Sequence, residues 1–190
     1  NIVVRSMEIW YTLTGNIDPI VVNTAVGWIN GQIYNTRGLD RIKFLISSNG
    51  GDIDSAVRLY DYLQALPLHV DTIGFGQVDS AAITIFLAGE NRIAVKDCRF
   101  IIHEGIYNIA QPSAPMHLHE EVLSLFNEIS RRNTSIIAKE TKKKVEEIKS
   151  LAKEGKPLTC DEAKKLGLVN EIVEKLPLSP QVPPPPQSVQ

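Results

Sequence analysis

Short apolar runs alternate with amphipathic helical stretches along the first half of the chain, and this alternation constrains the fold more than any other feature. Periodicity predicts strands at Glu8–Thr14, Ile42–Ser47, Val70–Phe75, Arg92–Val95 and Arg99–Ile102. Helices are predicted between them, beginning at Asp18-Pro19, at Asp52 and at Ser80. This β-α-β-α-β-α-β order predicts an α/β fold of repeated β-α-β units, with a mostly parallel sheet and right-handed crossovers.

Two polar turns follow neighbouring predicted strands, at Asn49–Asp52 and at Gly76–Ser80. In open parallel sheets, active sites collect beyond the carboxyl ends of the strands. Both turns lie at that edge. We therefore expect Gly51 and Ser80 to be neighbours in space although they are far apart in the sequence.

Three residue types at this edge suggest acyl-transfer chemistry. Ser80 falls at the start of a predicted helix, where unpaired N–H groups and the helix dipole favour negative charge. His103 ends an apolar strand, and the glycines of the upstream turn offer backbone N–H groups. Taken singly, Ser80 could be a helix cap and His103 a buried structural histidine. Only their combination favours a catalytic interpretation.

Composition excludes several classes of protein. The chain has 190 residues, of which 43% are hydrophobic, so one domain with a sizeable core is expected. The net charge of −2 gives no field that would attract nucleic acid or a membrane surface. No signal peptide or apolar span of membrane length is visible, and Cys98 and Cys160 form no CxxC motif, so reduced thiols and a cytoplasmic location are expected.

No metal or cofactor is expected. His117 and His119 stand two apart on a predicted helix, which turns them to different faces. The run Lys142–Lys144 is flanked by glutamates, and this pattern predicts a solvated helix face.

A long amphipathic helix is predicted over Leu118–Glu140, because apolar residues recur there every three or four positions. This helix is longer than is required to cover one face of a small sheet. It is either a long surface helix or a helix that projects and packs against another subunit. Further on, Thr159 and Glu162 form a capping box, and Gly167 ends that short helix. We divide the chain into a domain at 1–176 and a proline-rich tail at 177–190, which we expect to be disordered.

Five segments resemble the ClpP family, the proteolytic subunit of the Clp protease: Leu45–Gly51, Gly76–Ala82, Leu87–Gly89, Arg99–His103 and Thr159–Asn170. They occur in the family's order, and the resemblance as a whole covers about residues 8–175. The resemblance implies a crotonase-like fold and a serine peptidase that cleaves peptides or unfolded proteins inside ring-shaped oligomers. It also implies that the long helix interlocks two rings, and that an AAA+ unfoldase is a partner.

Residue roles follow from the resemblance. By position, Ser80 resembles the nucleophile and His103 the general base, while the N–H groups of Gly51 and Ala81 resemble the oxyanion hole. Such an arrangement is chemically consistent, because the histidine would accept the serine proton and two fixed donors would stabilise the tetrahedral oxyanion.

Three departures from the family pattern matter. The family's catalytic Asp aligns with Gly155, so the adjacent Glu154 is the candidate substitute carboxylate. The proline of the family's Ser-Pro-Gly-Gly turn is Asn49 here. Family members also carry a segment before the first strand that builds an axial pore and helps to dock the ATPase, whereas the first strand predicted here begins at Glu8.

Three functions remain open on the sequence. The first is a peptidase that forms an acyl-enzyme on Ser80. The second is a catalytically weak or inactive subunit that serves assembly or binding, which Gly155 favours. The third is a crotonase-type acyl-CoA enzyme, since the same fold would supply its oxyanion hole.

Overall fold

A computed structural model of the chain describes residues 6–106 and 113–178. The elements are β1 Met7–Thr14, α1 Pro19–Asn35, β2 Leu39–Ser48, α2 Ile53–Ala65, β3 His69–Asp79, α3 Ala81–Phe86, β4 Asn91–Val95, β5 Arg99–Ile101, α4 Met116–Thr141, α5 Val145–Glu154, α6 Cys160–Leu166 and β6 Glu171–Val173. The proline-rich segment 179–190, most of the predicted tail, lies outside the described residues, as does 107–112.

The sheet has six strands in the order β1-β2-β3-β4-β6, and β5 pairs with β3 beside this path. Every strand pair is parallel. The predicted α/β architecture with a mostly parallel sheet is therefore confirmed. Helices join successive strands up to β4, as β-α-β connections require.

Strand β3 continues through the region predicted to be a turn. The sequence prediction that the strand ends near Phe75 and that Gly76–Ser80 is a turn is wrong, because β3 runs to Asp79. The register of β3 on β2 shifts between Ile46 and Ser48. Gly76 has a φ of +66°, and this left-handed conformation allows β3 to bulge at that point. Beyond this point the strand gains β5 as a second partner, and that pairing keeps it extended.

Buried side chains lie on both faces of the sheet. The larger core joins strand residues such as Phe44 and Ile46 to the helices. A smaller cluster on the opposite face contains Trp10, Leu45, Ile73 and Ile93. Because neighbouring strand residues point to opposite faces, the continuous apolar run of β2 supplies both clusters.

A buried arginine anchors the C-terminal elements to the sheet. Arg92 donates from Nε to the carbonyl of Leu168 at 2.8 Å and from Nη2 to that of Gly167 at 2.9 Å. It also lies 3.8 Å from the carboxylate of Glu140, which accepts a 2.5 Å hydrogen bond from the Tyr60 hydroxyl. Burial, and then this bond, raise the pKa of Tyr60, so the phenol stays protonated and donates. The end of α4 is thereby tied to α2 and β4.

The long helix α4 leaves much of its length uncovered. Only Ile137, Ala138 and Thr141 are buried, all near its end. Its first half exposes large apolar side chains at Met116, Leu118, Val122, Leu123 and Leu125. The predicted long helix is confirmed, and it runs from Met116 to Thr141. None of the helices within residues 6–106 and 113–178 is long and apolar enough to cross a membrane.

The basic run Lys142–Lys144 does not lie on a helix face as predicted. It forms the break between α4 and α5, where Lys142 adopts a left-handed conformation with φ of 57°. Sequence analysis did not predict α5 as a separate helix. The capping box of Thr159 with Glu162 and the left-handed Gly167 bound α6 as predicted.

Both cysteine thiols are buried, and we predict that they are unreactive in the folded protein. Burial raises the pKa of the Cys98 thiol to about 12, so the reactive thiolate is scarce at pH 8. Titration with a thiol-reactive disulfide should release almost no chromophore from native protein, and two equivalents after denaturation, since the chain has two cysteines. Rapid release from native protein would contradict this burial.

Candidate active site

Ser80 lies at a sharp junction between β3 and α3. Its backbone has φ of 57° and ψ of −128°, a conformation that a residue with a side chain rarely adopts. A strained strand-to-helix turn of this kind presents a nucleophilic hydroxyl at the top of a sheet. The hydroxyl forms no capping hydrogen bond to α3, which argues against a simple capping role.

His103 reaches the same cavity from the neighbouring strand. It follows β5 by two residues, and the Ser80 N–H donates to the carbonyl of Ile101 at 2.8 Å. Ser80 and His103 both line a cavity of about 800 Å³, whose other walls include Phe126 of α4 and Ile148 of α5. No hydrogen bond joins the Ser80 hydroxyl to the His103 ring in this arrangement, although both residues are described.

The His103 ring is oriented by a backbone carbonyl. Its Nδ1 lies 2.7 Å from the carbonyl oxygen of Glu104. Since a carbonyl only accepts, Nδ1 must hold the proton in this bond. In the neutral ring, Nε2 is then left with the lone pair that a general base needs.

The glycine turn packs directly against Ser80. Gly50 and Gly51 have φ of 100° and 149°. A Cβ added to Gly50 would lie 2.7 Å from the Ser80 Cβ, and one added to Gly51 would collide with the backbone of Ile17. Both positions therefore require glycine. The structure places the glycine turn against Ser80, as the carboxyl-edge argument expected, although the residues before Ser80 belong to β3 and not to a turn.

Four hydrogen bonds hold the glycine turn in place. The Ile17 N–H donates to the Gly50 carbonyl at 2.9 Å, and the Asp52 N–H donates to the Ile17 carbonyl at 2.8 Å. The buried Ser48 hydroxyl donates to the carbonyl of Gly15 at 2.6 Å and accepts from the Gly50 N–H at 3.0 Å. Sequence analysis gave Ser48 no role, although a polar residue at the end of an apolar strand could have drawn attention to it.

Two backbone donors in the segments that meet at Ser80 have no hydrogen-bond partner among the described residues. The N–H groups of Gly51 and Ala81 donate to no acceptor within the part of the chain that the structure describes. Ala81 is the first residue of α3, where N–H groups have no partner in the helix. A developing oxyanion is the kind of acceptor that such donors suit.

The structure brings position 155, rather than the Glu154 carboxylate, to His103. Gly155 ends α5 with φ of +60°, and a Cβ added there would lie 3.7 Å from the His103 Cβ. Glu154 instead lines a separate pocket of about 150 Å³ with Lys156 and Glu162. It forms neither a hydrogen bond nor an ion pair with His103.

Asp79, immediately before Ser80, pairs with Arg99 of β5 at 2.5 Å. Sequence analysis did not predict this ion pair, because it depends on the pairing of β3 with β5. Within residues 6–106 and 113–178, no group of three or more His, Cys, Asp or Glu side chains is arranged to hold a metal ion.

Comparisons with known proteins identify the family of the chain. Residues 32–176 match the family model described as Clp protease. The chain is 33% identical over 131 residues to ATP-dependent Clp protease proteolytic subunit 2 of Borreliella burgdorferi, covering 68% of this chain and 65% of that protein. It is 30% identical over 136 residues to the protein of the same name from Frankia casuarinae, covering 70% and 61%. The chain thus spans less than two thirds of the length of these curated relatives.

A solved structure has the same fold. A ClpP1 mutant from Listeria monocytogenes aligns with a TM-score of 0.76 and 26% identity, over 87% of this chain and 91% of that one. The family match covers most of the described domain, including Ser80, His103 and the glycine turn. The chain belongs to the Clp protease family.

Proposed function

We propose that this chain is a serine peptidase that hydrolyses peptide bonds through an acyl-enzyme on Ser80. The observation that supports this most is the strained Ser80 turn, which packs against Gly50 and shares a cavity with His103. Backbone strain persists only where surrounding structure enforces it, and such sites are often functional.

The proposed reaction uses His103 as general base and then as general acid. Nε2 accepts the Ser80 proton while Oγ attacks the peptide carbonyl carbon, and the N–H groups of Gly51 and Ala81 stabilise the oxyanion. His103 then gives the proton to the leaving amine. Water, activated by the same ring, hydrolyses the ester and restores Ser80. Substrate binding must first bring Ser80 and His103 into hydrogen-bond contact, since catalytic hydrogen bonds often tighten only in the complex.

The third group of the site is the carbonyl of Glu104. It fixes the ring tautomer, but a neutral carbonyl stabilises the imidazolium less than a carboxylate would. Because Gly155 has no side chain to supply that charge, the peptidase should be slow. The same observation supports the second candidate function, a catalytically weak subunit that serves assembly or binding.

The exposed apolar stripe of α4 supports a homo-oligomer. We define this stripe as Leu118, Val122 and Leu125, which lie at helical spacing and are at least 38% exposed. An exposed patch of this kind marks an interaction surface. The relatives are named subunits of an ATP-dependent protease, so we extend the proposal to a ring-shaped chamber that takes peptides or unfolded proteins, with an AAA+ unfoldase as partner.

Ser80 should be the residue that a fluorophosphonate modifies, because its oxygen would displace fluoride from phosphorus and form a phosphonate ester. Treatment of the assembled protein, followed by peptide mass spectrometry, should place the adduct on Ser80, and Ser80→Ala should abolish labelling and peptidase activity. Ser124→Ala, which removes an exposed serine from α4, is the control and should label normally. Folded, assembled protein with an unmodified Ser80 would count against the peptidase.

Gly155→Asp should raise kcat by about tenfold or more, because it places a carboxylate beside the His103 ring. The left-handed backbone at 155 tolerates Asp and Asn better than most residues. Gly155→Asn is therefore the matched control, with the same shape but no charge, and should stay near wild type. Equal kcat for the Asp and Asn variants would refute the idea that a missing charge limits the rate.

The same assay tests Glu154 as the orienting carboxylate. We expect Glu154→Gln to change kcat by less than about twofold, because the Glu154 side chain lines a separate pocket. A fall in kcat of about a hundredfold would show instead that Glu154 orients His103.

Leu118→Glu combined with Leu125→Glu should lower the native mass measured by light scattering. The added charges would have to be buried without partners in any interface formed by the α4 stripe. Lys164→Glu with Lys165→Glu, on exposed positions of α6, adds more negative charge elsewhere and should leave the mass unchanged. A monomeric wild type at micromolar concentration would exclude both the oligomer and the chamber.

A further inference from the structure

A bidentate ion pair links the residue before Ser80 to the strand that leads to His103. Arg99 Nη2 lies 2.5 Å from Asp79 Oδ2, and Arg99 Nε lies 3.2 Å from the same oxygen. The Asp79 side chain is 6% exposed and the Arg99 side chain 46%. The carboxylate is thus nearly buried, and the guanidinium that compensates it comes from the neighbouring strand.

The relative position of Ser80 and His103 depends on a short stretch of pairing. Strand β5 has three residues, and it pairs with β3 through Gln77↔Arg99, Val78↔Phe100 and Asp79↔Ile101. The other edge of β5 is held by one bridge, between Phe100 and Leu158. Any movement of β5 along β3 would therefore move His103 relative to Ser80.

The ion pair opposes a slip of β5 toward the start of β3 that packing would tolerate. A shift of β5 by one residue would turn its buried side chains to the wrong face, but a shift by two would preserve the pattern. Asp79 stands opposite Ile101 while Arg99 stands opposite Gln77, so the pair crosses the strands diagonally. Arg99 also donates to Gln77 Oε1 at 2.6 Å. A two-residue slip toward the start of β3 would place Arg99 opposite Phe75 and break both contacts. A slip in the other direction would carry Ile101 past Asp79, where β3 ends, so the end of the strand opposes it.

We propose that Asp79 and Arg99 are positioning residues that fix the register of β5 on β3, and thereby set the distance between Ser80 and His103. This inference rests on the proposed peptidase function. Asp79 acts through Arg99 and is not itself a catalytic carboxylate, because its oxygens are occupied by the guanidinium and form no hydrogen bond with His103.

The same sheet offers a matched control pair. Arg41 of β2 and Asp71 of β3 form an ion pair at 2.8 Å, with side chains 35% and 6% exposed. This pair also joins neighbouring strands, but Asp71 lies near the start of β3, at the opposite end from Ser80. Loss of either buried carboxylate should lower stability to a similar degree, whereas only Asp79 should affect acylation.

The test compares Asp79→Asn with Asp71→Asn in the full chain. Asp79→Asn should lower kcat and the rate of fluorophosphonate labelling of Ser80 by about tenfold or more, with KM changed less than about twofold, because misplacing the base slows chemistry rather than binding. Asp71→Asn should lower the melting temperature comparably and leave both rates near wild type. Arg99→Gln should reproduce the Asp79→Asn defect, and Arg99→Lys should restore part of the rate.

Hydrogen exchange of the Ser80 amide tests the register without any activity assay. This N–H donates to Ile101, so a loosened β5 should speed its exchange in Asp79→Asn and Arg99→Gln but not in Asp71→Asn. Unchanged exchange, or labelling of Asp79→Asn at the wild-type rate, would overturn the proposal. An unlabelled wild type would instead count against the peptidase, and the exchange result would still decide the role of the ion pair. Arg99 is half exposed, so its variants give a result even if Asp79→Asn fails to fold.

Discussion

The site depends on the change of partner along β3. In its first half this strand pairs with β2 and β4, and from Gln77 onward it pairs with β5 instead of β4. Its end therefore extends past the body of the sheet while both edges remain hydrogen-bonded. Ser80 is fixed by this arrangement, with the glycine turn after β2 on one side and the Ile101 carbonyl on the other. A strand that stopped at the predicted turn would leave the serine on a loop.

Strain and unpaired donors at the site must be offset by nearby contacts. The Ser80 backbone conformation costs about 1–3 kcal/mol, and the unpaired N–H group of the buried Ala81 adds to that cost. This cost is offset by the hydrogen bonds that Ser48 and Ile17 form with the glycine turn. The burial of helix α3 stabilises the folded chain further. Asn49 replaces the proline that the family pattern has, so hydrogen bonds must hold the turn without that ring. Donors held in place in this way need no rearrangement when charge develops beside them.

Sequence periodicity predicted the element order and the parallel sheet because both follow from local pattern and connection rules. The packing of the glycine turn against Ser80, observed at Gly50, followed from the edge rule for parallel strands. Long-range pairing was not predictable in the same way. Local sequence rules predict a turn at Gly76, whereas the pairing of β3 with β2 shows an irregularity there and the pairing with β5 shows that the strand continues. The Asp79–Arg99 ion pair and the start of α5 after Lys144 depend on the same kind of tertiary context.

Position 155 has two demands that one residue cannot fully meet. As the left-handed residue that ends α5, it favours glycine, which has no steric cost at φ of +60°. As the position whose Cβ would lie against His103, it is where a carboxylate would best stabilise the imidazolium. Glycine suits the end of the helix but offers no carboxylate to His103, whose Nδ1 donates to the Glu104 carbonyl instead. An aspartate would satisfy the histidine at some cost in backbone strain, since Asp is among the residues that tolerate this conformation best. In the proposed peptidase, the rate of catalysis is therefore linked to how one helix ends.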